Sequence, residues 1–334
     1  MTMWMVRAER KGVLYDTFQE MNLVAIGWSV AGDFTQNPES HAILAALHKA
    51  YPDASEQTNR VAAGQIARFI SEIEIGDHVI TYDSNRRVYA VGLIKGPAVF
   101  DETKVSLGGE TYAYIRFVEW LGEVDRDALS QSARYSLGSL LTFFQIKPFV
   151  EEEIFAALEG RKEPSRAEDE EVQNIETVSE GDIAERSIEL ISDMVARLGP
   201  DEMEHFVAGL LRAMGYHTKV SAPGPDRGED IRATPDPLGL EDPRIVVEVK
   251  HRKGAIGAPQ LRSFLGGRHP ADKGLYVSTG GFSKDARYEA ARASIPLQLL
   301  TLEDLVELVI EHYEKMDIEA RAMVPLKQIY WPLA

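Results

Sequence analysis

The chain has 334 residues, enough for two domains with separate cores, and 44% of them are apolar, an ordinary share for a globular protein. It contains no cysteine, which excludes disulfides, thiolate zinc sites and cysteine nucleophiles, and no apolar run approaches the roughly 20 residues of a membrane helix. The net charge of −17 weighs against a polyanion partner, and the start Met1-Thr2-Met3-Trp4 lacks the layout of a signal peptide, so the expectation is a soluble, cytoplasmic protein without a membrane partner.

In chain order, the first elements are short. Strands are predicted over 4–8 and 23–28, and helices over 41–50 and 65–73. A strand over 77–82 follows the Gly76 turn, and Asp83-Ser84-Asn85-Arg86 is hairpin chemistry leading into a strand over 88–94. A further strand over 112–118 carries regularly spaced aromatics. Several short strands with a few helices predict a small, curved β-barrel domain over 1–158. The segment 159–181 is charge-dense and poor in large apolar residues, as in Arg161-Lys162-Glu163-Pro164-Ser165-Arg166 and Glu168-Asp169-Glu170-Glu171, and reads as an acidic linker.

Residues 182–334 have a different rhythm. Ile183, Ser187, Leu190, Ile191, Met194, Val195 and Leu198 share one helical face, and a second helix runs from Met203 through Met214 to Gly215. Strands are predicted over 217–220, from Ile231, and over 245–250, 274–279 and 297–300, with helices over 260–266, 284–293 and 302–313. Thr301 with Asp304 makes a capping box for the last of these helices. Strands alternating with helices predict a central sheet covered on both faces. The fold class is a two-domain α/β (α+β) protein.

The chemistry concentrates in Ile245-Val246-Val247-Glu248-Val249-Lys250. Side chains alternate along a strand, so Glu248 and Lys250 point to the same side. A Glu-x-Lys pair on an exposed strand is usually two solvated charges. Here Ile245, Val247 and Val249 form one apolar face and Val246 adds to the other, which predicts a buried strand, where charges are costly unless paired or metal-bound. Asp230 follows a loop bounded by Gly224 and Gly228. Two carboxylates can hold a hard cation such as Mg2+, with Mn2+ as a substitute, and the Val249 carbonyl can add a third oxygen. Lys250 can then orient the attacking water. Around this strand the charge balance reverses, because residues 244–292 hold ten basic side chains against four acidic ones.

Glu204-His205-Phe206, Gly215-Tyr216, Pro225-Asp226-Arg227-Gly228-Glu229-Asp230, Glu248-Val249-Lys250 and the run from Leu275 through Ser283 resemble, in that order, the Mrr-type catalytic domain of the PD-(D/E)xK restriction endonuclease superfamily. The resemblance covers about 200–310. It implies a mixed sheet flanked by helices, Mg2+-dependent phosphodiester hydrolysis by Asp230, Glu248 and Lys250, and an acidic partner in Glu204. It adds Gln260, Asp226 and the Ser278-Thr279 pair as secondary positions, and Arg252 and Lys253 as DNA-backbone contacts. Many Mrr-type domains carry Gln where this chain has Glu248, and their loop is richer in glycine where this chain has Arg227 and Glu229.

Trp4-Met5-Val6-Arg7-Ala8, Val24-Ala25-Ile26-Gly27-Trp28, Gly32-Asp33-Phe34, Ile75-Gly76-Asp77-His78-Val79 and the run from Ser136 through Thr142 resemble PUA-like, EVE-related domains, over about 1–150. That resemblance implies an aromatic pocket for a flipped, modified base, with Trp28, Asp33 and Tyr82 as its residues and Arg7, Arg86 and Arg87 on the backbone. Together the two resemblances imply a modification-dependent endonuclease on double-stranded DNA carrying a modified base, with a modified cytosine as the expected one. It would act as a homodimer or larger homo-oligomer. The alternatives are a non-catalytic nucleic-acid sensor with a vestigial nuclease fold, or a nuclease on RNA or structured DNA.

Overall fold

The short strands of the first part of the chain pair into one curled sheet, apart from a separate two-stranded hairpin over 106–111. This is seen in a computed structural model, which describes residues 1–138, 141–161, 180–221, 229–266 and 268–328. Most of the expected linker and Asp226 lie outside these residues. The chain divides into two units, Met1–Val172 and Gln173–Ala334.

The first unit runs β1 (Met3–Val6), α1 (Tyr15–Met21), β2 (Leu23–Ile26), α2 (Ser40–Ala50), α3 (Glu56–Ser71), β3 (His78–Asp83) and β4 (Val88–Ile94). It continues through β5 (Val99–Phe100), β6 (Ser106–Leu107), β7 (Glu110–Thr111), β8 (Tyr114–Asp125), α4 (Gln131–Leu137), β9 (Phe143–Gln145) and α5 (Pro148–Leu158). The sheet order is β2-β8-β4-β3-β1-β9, with β5 on β8, and it curls as a half-barrel. Alternation sends Trp4 and Val79 into one core, with Ile43, Leu47, Ile66 and Phe69 of α2 and α3. Met5, Ile80 and Tyr82 go into another on the opposite face, with Leu137, Val150 and Ile154 of α4 and α5. The β4–β8 ladder shifts register between Val91 and Gly92, and a side chain at Gly92 would run into Val118 and Trp120. Arg116 is fully buried and donates to the carbonyls of Phe69 (2.9 Å), Ile70 (2.8 Å) and Gly96 (3.2 Å), tying the end of α3 to the sheet; burial lowers its pKa to about 10.

The second unit runs α6 (Glu180–Val195), α7 (Pro200–Ala213), β10 (His217–Val220), β11 (Ile231–Thr234), β12 (Arg244–Lys250), α8 (Ala258–Leu265) and β13 (Asp272–Ser278). Then come α9 (Lys284–Ala291), β14 (Leu297–Thr301), α10 (Leu302–His312) and α11 (Ile318–Met323). The strands lie in chain order, β10-β11-β12-β13-β14. The first two pairings are antiparallel and the last two parallel, with α8 and α9 as the crossovers. Val247 and Val249 face a core built with α7 and α10, while Val246 and Tyr276 face a second one with α8 and α9. The sheet is thus covered on both faces, and the β-branched run is its central strand.

Candidate active site

Glu248 and Lys250 lie on the same face of β12, as the period of two requires. Lys250 Nζ is 2.8 Å from Glu248 Oε1 and 4.0 Å from Asp230 Oδ2. Asp230 arrives from the other side of the ladder. Its N–H donates to the Val247 carbonyl at 2.9 Å, and Ile231 pairs with Val247. Beyond that point a side chain replaces β11, because Val249 N–H donates to Asp230 Oδ2 at 2.6 Å. The carboxylate thereby occupies the place of the next backbone acceptor. Asp230 and Glu248 are only 6% and 8% exposed, whereas the Lys250 side chain is 34% exposed, so the ammonium is the solvent-facing member. Two buried carboxylates around one cation offset part of their desolvation cost.

Parallel pairing sets Tyr276 of β13 opposite Glu248. Its ring is edge-on to both Phe264 (5.3 Å) and Phe282 (5.9 Å). Burial first, and then the charge of Glu248 nearby, push its phenol well above the ordinary tyrosine range. This neighbour is illegible in the sequence, because the register depends on the α8 crossover. The turns after β12 and β13 are zipped together. Thr279 N–H donates to the Lys250 carbonyl at 3.2 Å and Ile256 N–H to the Gly281 carbonyl at 2.9 Å. Gly280 passes so close under the first turn that a Cβ would collide with the carbonyl oxygens of Arg252 and Gly254. Arg252 and Lys253 are exposed on that turn, two and three residues after Lys250.

The secondary positions separate from this centre. Gln260 Oε1 accepts from Gly257 N–H at 3.2 Å and caps α8. Ser278 is buried, and its hydroxyl donates to the Gly281 carbonyl at 3.0 Å. Glu204 is half-buried on α7. Among the described residues no group of three acidic or histidine side chains is placed to hold one ion.

In the first unit the predicted pocket residues do not all meet. Trp28 follows β2 in a left-handed conformation (φ 64°), rare for a bulky side chain, and packs partly buried against the core of α2 and α3. Asp33 is exposed and closes an Asx turn, accepting from Thr35 N–H at 2.8 Å and from its hydroxyl at 2.7 Å. Tyr82 belongs to the opposite core, stacked on Tyr89 at 4.6 Å, because β3 turns Tyr82 to the face shared with Ile80. The structure therefore does not bring Tyr82 to Trp28 and Asp33. The arginines differ as well. Arg87 is buried and paired with Asp127 at 2.6 Å, which takes it out of reach of a polymer backbone. Arg86 is bound to Asp83 (2.7 Å) and Glu123 (3.0 Å) and lies over the Tyr15 ring. Arg7 Nη2 donates to the Leu137 carbonyl at 3.4 Å.

Residues 195–309 match the family model of the Mrr catalytic domain, described as a restriction endonuclease. That segment is a restriction endonuclease domain of the Mrr type. Asp230, Glu248 and Lys250 all lie within this nuclease domain. Residues 4–146 match a domain of unknown function (DUF8426). No curated protein matches the chain. The solved structures similar to it include two restriction endonucleases. One is the MspJI restriction endonuclease in complex with a 27-mer oligonucleotide, 14% identical over 81% of this chain and 70% of that one, with a TM-score of 0.33. The other is the DNA modification-dependent restriction endonuclease AspBHI, 14% identical over 74% and 67%, with a TM-score of 0.32.

The donor set of the nuclease domain's β12 site fits a hard divalent cation. Asp230 and Glu248 offer carboxylate oxygens. The N–H of Val249 points toward Asp230, and a strand residue's N–H and C=O share one lateral side, so the Val249 carbonyl faces the same gap. The neighbouring histidine is engaged elsewhere, with His251 Nε2 at 2.7 Å from the Leu198 carbonyl. An oxygen-only set favours Mg2+ or Mn2+ over zinc.

Proposed function

We propose that the chain is a divalent-metal-dependent endonuclease that cuts DNA carrying a modified base. The observation that carries this reading is the convergence of Asp230, Glu248 and Lys250 on the central strand of an Mrr-type domain. Asp230 and Glu248, with the Val249 carbonyl, hold Mg2+ or Mn2+. When bound, the cation supplies Lewis acidity at the phosphate and lowers the pKa of water. Lys250, on the solvent side, holds the attacking water in line and offsets charge at the scissile phosphate. Arg252 and Lys253 contact the flanking backbone.

The reader half of the proposal rests on the PUA-like resemblance of residues 1–150, taken as a recognition domain over 1–158 joined to a nuclease domain over 182–334. Trp28 and Asp33 remain its base-contacting residues, and a modified cytosine is its base. Extruding a base costs a few kcal/mol, least for a weakened pair, and is repaid by stacking and edge contacts. Cutting both strands requires two nuclease domains, so the active form is a homodimer or larger.

The test is a cleavage panel with Mg2+ over modified duplex DNA, unmodified duplex DNA and RNA. Cutting confined to the modified duplex is the expected result. Equal cutting of both duplexes removes the reader, and cutting of RNA alone replaces the substrate. Asp230→Ala, Glu248→Ala and Lys250→Ala should each lower the rate at least about a hundredfold, more than the loss of an outer partner typically costs, with the chain still folded at the assay temperature. Activity surviving in all three would overturn the assigned chemistry.

A further inference from the structure

Asp230 precedes β11 and its side chain reaches across to β12, so its reach depends on how the backbone at 229–230 is held. The residue before it is Glu229, where the family loop is usually richer in glycine. Glu229 Oε1 accepts from Arg232 Nε at 2.7 Å and is 2.6 Å from Arg232 Nη2. Glu229 Oε2 faces Nη1 of Arg268 at 3.9 Å. The Arg268 side chain is only 8% exposed, its guanidinium lies 4.5 Å over the Phe264 ring, and its Nε donates to the Phe264 carbonyl at 2.7 Å. On the main chain, Ser221 Oγ donates to the Glu229 carbonyl at 2.5 Å and Ser221 N–H to the Asp230 carbonyl at 2.8 Å.

We infer that Glu229 is a positioning residue for Asp230. Its carboxylate is held by Arg232 on β11 and faces Arg268, which follows α8, and these contacts, with the bonds from Ser221, fix the peptide from which Asp230 extends over β12. The inference rests on the reading of Asp230 as a metal ligand. An exposed ion pair alone contributes little. Arg268 differs because it is nearly buried and stacked, so its planar fork is held in one orientation and cannot relax into water. With one oxygen of Glu229 bound by Arg232 and the other facing Arg268 as a longer ion pair at 3.9 Å, it acts through Asp230 and not on the cation. A misplacement of about 1 Å in a reacting group can cost on the order of a hundredfold in rate.

The experiment uses the full chain with Glu229→Gln, which keeps the shape, and Arg268→Met, which keeps the contact with Phe264 and loses the charge. Mn2+ binding is measured by calorimetry, cleavage by kcat and the KM for DNA, and folding by melting. Both variants should bind Mn2+ about tenfold more weakly, the range expected for a partner of a metal ligand, with the KM for DNA unchanged. Arg268→Lys should fall between Arg268→Met and the parent. Parental Mn2+ affinity in both variants overturns the inference, as does a loss of affinity that only tracks a fall in melting temperature. Should Glu229→Gln fail to fold, the Arg268 pair of variants carries the same comparison. A parent chain that binds no Mn2+ removes the nuclease reading and this inference together. A parent whose binding Asp230→Ala abolishes and Glu229→Gln spares removes the inference alone.

Discussion

A carboxylate that stays ionised inside a protein needs donors, and Asp77 shows how the first unit supplies them. Its Oδ1 accepts from Thr2 N–H at 2.8 Å, and its Oδ2 from Trp4 Nε1 at 3.0 Å and Glu74 N–H at 3.1 Å. Burial alone would push its pKa up, but these bonds outweigh burial and hold it below the usual carboxylate range. A lowered folded-state pKa means that the stabilisation is present above about 4, the unfolded value, and is lost as pH falls through the folded one. Asp77→Asn sets an amide against three donors. It should cost about 1–3 kcal/mol at pH 7 in chemical denaturation, with the gap to the parent closing toward pH 3. A gap constant with pH would show that the charge is not what matters. The same logic made Asp230, Glu248 and Lys250 legible in the sequence, since charges inside a β-branched run demand partners. It did not expose Tyr82 or Arg87. Whether an aromatic or a guanidinium faces ligand or core is decided by strands and helices from elsewhere in the chain.

At the scale of elements, what could be read was what is specified locally. The capping box at the start of α10 is present, with the Thr301 hydroxyl accepting from Asp304 N–H at 3.2 Å and Asp304 Oδ2 accepting from Thr301 N–H at 3.1 Å. Thr301→Ala should destabilise the second unit by about 1 kcal/mol and no more than about 2. Urea denaturation reads this directly, and no change would mean that solvent replaces the cap. The buried centre of β12 was equally plain, because apolar residues on both faces leave no side for water. Three short helices of the first unit were not. The segments α1, α4 and α5 span 7, 7 and 11 residues, too few to be stable alone, and they form because the faces of the half-barrel sheet offer apolar surface. α3 begins at Glu56, well before the apolar periodicity, because Ser55 accepts from Thr58 N–H at 3.1 Å and caps it there. β8 runs on to Asp125, since β4 gives it partners through Asp125↔Val88.

At the scale of the whole molecule, the two units have separate cores. Phe18 is fully buried in the first, and Phe206 in the second beneath Val247 and Val249. Chains of this kind need not unfold in one step. Scanning calorimetry of the full chain should resolve two transitions. Phe206→Ala removes a buried aromatic at a cost of about 3–5 kcal/mol, lowering one transition by on the order of 10 °C and leaving the other in place. Phe18→Ala should do the reverse. The proposed metal site sits on the Phe206 unit alone, and a ligand that binds only the folded form raises that form's transition by mass action. Mn2+ should therefore raise the transition that Phe206→Ala lowers and leave the Phe18-sensitive one unmoved, and in Asp230→Ala it should move neither. If Mn2+ moved both transitions equally in the parent, or the Phe206 one undiminished in Asp230→Ala, the cation would be binding somewhere other than at β12.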